Sequence, residues 1–199
     1  MRRELPVADL PPADAYRLLT ASIIPRPIAW VSSRSAGGVD NLAPHSFFTV
    51  ASAAPPVIQF TSIGPKDSLA NVTETREFVV CLAPLALIDQ INLTSARVDP
   101  HVDEFDFARV EREPSAVVAP PRVAGSPVAL ECALRTTLEI GNGIVVLGDV
   151  LHIAIDEAVL AGDGLPVAEA LGPVARLGRD EWAGLGELLR IERPHRPRA

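Results

Sequence analysis

The sequence predicts a mainly β protein, an antiparallel barrel that is closed or nearly closed, with a few short helices added. Three observations predict it. Proline occurs 19 times in 199 residues, about twice the usual ~5%, which disfavours long helices and suits many short elements. Apolar runs of strand length recur through the chain, bounded by Gly, Pro and Ser. Two long β-type segments, 128–140 and 144–156, flank Gly141-Asn142-Gly143, a link rich in residues that tolerate positive φ, so they form a hairpin. With that much strand in one domain, closure is the economical way to remove sheet edges.

Taken in order, Pro12 to Thr20 places Ala15, Leu18 and Leu19 on one side of a short amphipathic helix behind a Pro-Pro start. Pro25-Arg26-Pro27 ends it. Ile28 to Ser33 reads as a strand, and Ser35 to Asp40 as a Gly-Gly turn of hairpin type. Asn41 to Ser52 and Val57 to Ser62 are further strands, separated by Ala53-Ala54-Pro55-Pro56. Lys66 to Glu77 is helical in pattern, with Leu69 and Val72 on one face and Asp67 or Ser68 placed to cap the free N–H groups. Phe78 to Leu82 is a buried-type strand, and Leu85 to Leu93 a second helix of the same kind. The segment 99–114 is acidic and irregular, a surface excursion. From Arg176 to Ala199 the chain reads as a polar, Arg-bearing tail. The sum is six or so strands with two or three helices in a single domain spanning 1–199.

Composition narrows the function. The 18 basic residues face 25 acidic ones, for a formal charge of -7, and mean hydropathy is +0.23. An acidic chain lacks the basic field that nucleic acid or an anionic membrane requires, so neither is an expected partner. No run approaches the ~18 apolar residues of a membrane span, and the start lacks the apolar stretch of a signal peptide. A cytoplasmic protein is expected. Cys81 and Cys132 sit in apolar runs and read as core thiols.

Familiar motifs fail. Gly141-Asn142-Gly143 opens a strand, whereas a dinucleotide fingerprint opens a helix. Gly64-Pro65-Lys66-Asp67-Ser68 lacks the frame of a P-loop. Histidines 45, 101, 152 and 195 are dispersed, so no metal site is expected. His152 shares a strand face with Val150 and Ala154 and reads first as a structural histidine at a barrel rim. No catalytic side chain declares itself, which points to a cofactor carrying the chemistry or to no chemistry.

Two stretches stand out. In Phe60 to Ser68 a strand ends in Thr61 and Ser62, crosses Gly64-Pro65, and enters a helix N-terminus carrying Lys66, Asp67 and Ser68. Hydroxyls, free helix N–H groups and an ammonium suit a phosphate monoester, although an ordinary helix start has the same look. Lys66 is the only lysine among the 18 basic residues. In Asn41 to Phe48, small residues and Pro44 leave backbone groups open to a flat ligand, and Phe47 or Phe48 can cover a ring; from composition alone, plain strand and core packing is the simpler reading.

Together with Ile24 to Ser33, Pro55-Pro56, Asn71, Glu77 to Val80, Ser126 to Cys132, Gly148 to Ile153 and Ala175 to Trp182, these stretches follow one another in an order that resembles the flavin reductase-like, FMN-binding split-barrel family. The resemblance spans most of 16–183. It implies a six-stranded antiparallel Greek-key split barrel, a homodimer, and FMN held near the subunit interface. By position, Thr61, Ser62, Lys66, Asp67 and Ser68 would take the phosphate and ribityl end. Asn41, Ala43, Ser46 and Phe47 would line the isoalloxazine, with Trp30 and His152 as further ring neighbours. Ser68 stands where many relatives have Thr, and Trp182 where Tyr is often found.

That resemblance implies an NAD(P)H-dependent flavin reductase, handing reduced flavin or electrons to an oxygenase or another electron-accepting protein. The alternative is an FMN-containing electron carrier, flavoredoxin-like, reduced by a protein partner without NAD(P)H. A cofactor-free interaction barrel is the third reading. Nothing in the sequence separates NADH from NADPH.

Overall fold

A computed structural model describes residues 1–194; His195 and the four residues after it lie outside the described residues. After a 3-10 turn at Val7–Asp9 comes helix α1 (Pro12–Ser22), started by proline at its first position, where a missing N–H costs nothing. Strand β1 (Arg26–Pro27) leads to the hairpin β2 (Ala29–Arg34) and β3 (Asp40–His45). Its turn places Gly38 at φ +87 and lets Ser35 Oγ accept from the Val39 N–H. Then follow β4 (Phe48–Ala53), β5 (Pro56–Ile63), α2 (Asp67–Thr75) and β6 (Glu77–Leu82). A helical stretch from Leu85 ends in α3 (Ile88–Leu93), and α4 (Glu104–Phe107) lies within the segment that the sequence marks as irregular. Strands β7 (Arg112–Glu113) and β8 (Arg122–Val123) pair with each other. The long strands β9 (Val128–Ile140) and β10 (Gly143–Ile155) meet across Gly141, at φ +58, and Asn142.

The main sheet is antiparallel with order β3-β2-β6-β9-β10-β5-β4. It holds seven strands. The stretch 41–52, one strand by its pattern, breaks at Ser46-Phe47 into β3 and β4, which occupy opposite edges of the sheet. A chain that passes from one edge directly to the other must roll the sheet on itself, and Phe47 O accepts from the Thr61 N–H at that corner. Register shifts after Leu147 and after Val150 bend β10, as bulges do in barrels.

Alternation along β2 and β6 sorts the core into two clusters. Ala29, Val31, Phe78, Val80 and Phe60 form one, with Val72 of α2. Trp30, Val79, Cys81 and Leu42 form the other, with Ile91 of α3 and Phe105 of α4. Strands buried on both faces read as continuous apolar runs, which explains Phe78-Val79-Val80-Cys81. Both cysteines are buried, and burial raises both thiols, Cys81 to about 12. Glu131 is fully buried on β9, where it accepts from the Ala116 and Val117 N–H groups and from Arg122. It thereby pins the proline-rich loop 114–121 to the sheet.

The chain beyond Arg176 is more than a polar tail. After α5 (Ala168–Leu171), strands β11 (Ala175–Arg176) and β12 (Trp182–Ala183) extend β1 into a small three-stranded sheet. Trp182 packs on the core and beneath the Arg176 guanidinium, 4.5 Å from its ring centroid. No helix among the described residues is long and apolar enough to cross a membrane.

Candidate functional site

The N-terminus of α2 opens onto a cleft of about 500 Å³. The cleft is walled by Asn41, Ala43 and Pro44 of β3, by 63–68 at the end of β5 and the start of α2, and by 94–98, Pro100 and Glu104 from the segment joining α3 to α4. Five of the nine residues proposed from sequence, Asn41, Ala43, Lys66, Asp67 and Ser68, therefore meet in one place.

Neither Asp67 nor Ser68 caps the helix. Lys66 is the residue at the cap position, in extended conformation, and no side chain bonds the first N–H groups of α2. Ser68, buried, turns away and donates its hydroxyl to Asn41 Oδ1 at 2.8 Å. Asn41 is the hub of a buried network. It accepts also from Ser33 Oγ at 3.3 Å, which in turn accepts from Asn71 Nδ2, and it donates from Nδ2 to Glu104 Oε1 at 2.7 Å. The Leu42 N–H donates to Glu104 Oε2. Asn41 and Ser68 are thus direct partners.

The open helix end gathers two cations, with the carboxylates of Asp67 in its first turn and of Glu104 lining the same cleft. Lys66 sits at the rim with Arg97 across from it on the 94–98 wall. Partial burial and then the Arg97 charge lower the Lys66 ammonium. Among the described residues neither cation makes an ion pair. Lys66 and Arg97, neither in an ion pair among the described residues, thus lie beside helix N–H groups that no side chain caps, a donor set of the kind that suits an anion.

The other expected residues lie around it. Ser62 is buried and donates to Gly64 O at 3.0 Å, shaping the turn into α2 without reaching the cleft. Thr61 pairs with Val145 on β10. Ser46 and Phe47 sit at the β3–β4 corner toward α1. There Ser46 Oγ accepts from Arg26 Nε at 3.4 Å, and the Phe47 ring lies 6.4 Å from that of Tyr16. Between the two groups His45 is buried, its ring 4.8 Å from Phe60 and its Nε2 without a partner. Trp30 does not line the cleft: it is fully buried in the core and donates Nε1 to Thr94 Oγ1. His152, half-buried on β10 opposite Glu131, does not line the cleft.

Arg97 and Glu104 escaped the sequence reading because their segment is acidic and lacks periodicity. One signal was available. Asp103 before Glu104-Phe105-Asp106-Phe107 is a helix start with two aromatics, and the Asp103 side chain does cap the Phe105 and Asp106 N–H groups.

The rolled, mainly β antiparallel sheet is the architecture of flavin reductase-like split barrels, and the chain belongs to that family: residues 21–167 match the model of the flavin reductase like domain. An uncharacterised protein of Halalkalibacterium halodurans is 35% identical over 193 residues, with 91% of each chain covered. Component B of nitrilotriacetate monooxygenase from Bacillus cereus superposes with a TM-score of 0.92 at 31% identity, over 96% of this chain and 99% of that one. The 2-nitrobenzoate 2-nitroreductase of Pseudomonas fluorescens gives 0.88 at 26%, over 96% of each.

Proposed function

We propose that this chain is an FMN-binding oxidoreductase, an NAD(P)H-dependent flavin reductase that passes reducing equivalents to a separate acceptor protein. The observation that carries the reading is the pair of cations Lys66 and Arg97, neither in an ion pair among the described residues, beside the uncapped N-terminus of α2. That donor set fits the dianionic phosphate monoester of FMN, which takes charge-assisted bonds from ammonium, guanidinium and backbone N–H groups together. The family, and the likeness to a monooxygenase component at 31% identity, support a flavin there and an oxygenase as the acceptor.

Bound FMN supplies hydride acceptance at its ring. The chain's own residues bind and orient. Lys66, Arg97 and the first N–H groups of α2 hold the phosphate. Asn41, fixed by Ser33, Ser68 and Glu104, keeps β3 at a constant distance from α2. The backbone of β3 then leads past Ala43 and Pro44 to Ser46 and Phe47, which are placed to line the ring. Because α1 buries none of its residues and leaves Tyr16, Leu18 and Leu19 exposed, a second copy of the chain covering this face belongs to the same proposal.

The test is an anaerobic visible spectrum of the protein with FMN, before and after NADH and then NADPH. Bleaching of the flavin band by either nucleotide supports the reductase and names its donor. A bound flavin that neither nucleotide reduces overturns the NAD(P)H step, and no bound flavin overturns the whole reading.

A further inference from the structure

We propose that Glu104 is a positioning residue for the anion site, acting through the segment 94–104 that carries Arg97; the proposal rests on the reading of that site as the phosphate site of FMN. The segment forms one wall of the cleft and is fastened at both ends by buried polar contacts. At one end Thr94 is buried, accepting from Trp30 Nε1 at 3.0 Å and donating to Ile91 O at 3.0 Å. At the other, Glu104 is buried and sends both carboxylate oxygens to β3, one to Asn41 Nδ2 at 2.7 Å and one to the Leu42 N–H at 3.3 Å.

Everything between these anchors is exposed or half-buried, Arg97 included. Arg97 itself makes no ion pair among the described residues, so its place beside Lys66 depends on the backbone that carries it. Asn41 makes the anchoring specific to the site. The same side chain that receives Ser68 from the first turn of α2 donates to Glu104, so one residue sets both cation-bearing walls. A carboxylate at this point is otherwise costly: it is buried, and Asp67 is a like charge nearby. Outside, Arg112 bridges Asp103 and Asp106 to Asp40 and stacks 5.0 Å from the centroid of Phe105, holding α4 in place without reaching the cleft.

The experiment is calorimetric titration of the full chain with FMN and with riboflavin, which lacks the phosphate, on wild type, R97A, E104Q and the double variant. R97A weakens FMN by roughly tenfold or more, as the loss of a charge-assisted bond does. E104Q weakens FMN by a smaller factor, leaves riboflavin unchanged, and adds nothing in the R97A background. Additive losses in the double variant, or equal losses of FMN and riboflavin in E104Q, overturn the positioning role. Equal affinity of wild type for FMN and riboflavin overturns the phosphate site itself. Should E104Q fail to fold, hydrogen exchange on wild type decides. FMN slows exchange across 95–104 if the segment closes on the phosphate, and unchanged exchange there with FMN bound overturns the proposal.

Discussion

Ser68 donates its hydroxyl to Asn41 Oδ1 at 2.8 Å, tying the first turn of α2 to strand β3. The bond turns a helix start that looks self-capped in sequence into one whose N–H groups stay open, because the hydroxyl nearest to them is spent on the sheet. Asn41 is correspondingly loaded, with partners in Ser33, Ser68 and Glu104.

Replacing that hub is costly. Asn41→Ala leaves Glu104 and two hydroxyls short of buried partners, and we expect a loss of about 2–4 kcal/mol in unfolding free energy, read from urea denaturation. Asn41→Asp is worse at neutral pH, since it sets a second carboxylate against Glu104, and it recovers in acid where the pair shares a proton. An Asp variant as stable as wild type at pH 7 would contradict the network.

The phosphate assignment predicts a charge effect. Lys66→Ala weakens FMN by roughly tenfold or more and flattens the dependence of affinity on salt, whereas Lys66→Arg keeps most of both. Flavin fluorescence titrations at two ionic strengths check this. Unchanged affinity in the Ala variant removes Lys66 from the site.

His45 predicts a pH dependence of stability. Burial, and then the charge of Lys66, push the imidazole down from 6.5 to about 3. Between those values the unfolded chain binds a proton that the folded chain refuses, so stability falls as pH drops from 6.5 toward 3. The slope is at most about 1.4 kcal/mol per pH unit for one group. His45→Leu flattens that part of the curve; thermal melts across the range measure it.

Gly148 predicts a packing failure. A Cβ built there collides with Phe78 Cζ and lies 3.3 Å from Cys132 Cβ, so Gly148→Ala forces the Phe78 ring aside. We expect about 1–3 kcal/mol of destabilisation by overpacking, relieved in Gly148→Ala combined with Phe78→Leu. Failure of the second substitution to rescue the melting temperature would mean that the glycine serves the backbone bulge instead.

The mainly β character, the β2–β3 turn, the β9–β10 hairpin and the position of α2 were legible in the sequence. Each is a local matter of period, turn residues and breakers, and so was the gathering of Lys66, Asp67 and Ser68 at one helix start. Tertiary structure decided the rest. The break at Ser46-Phe47 shows only once β3, largely buried, and β4, largely exposed, take opposite edges of the sheet. Whether the Ser68 hydroxyl accepts from its own helix's N–H groups or donates to Asn41 Oδ1 is settled by how close β3 packs. The pairing of Arg97 with Lys66, and of Glu104 with Asn41, joins residues far apart in the chain through a segment without periodicity. Local propensity carries no information about such contacts, since they form only when the rolled sheet brings the α3–α4 connection over the end of α2.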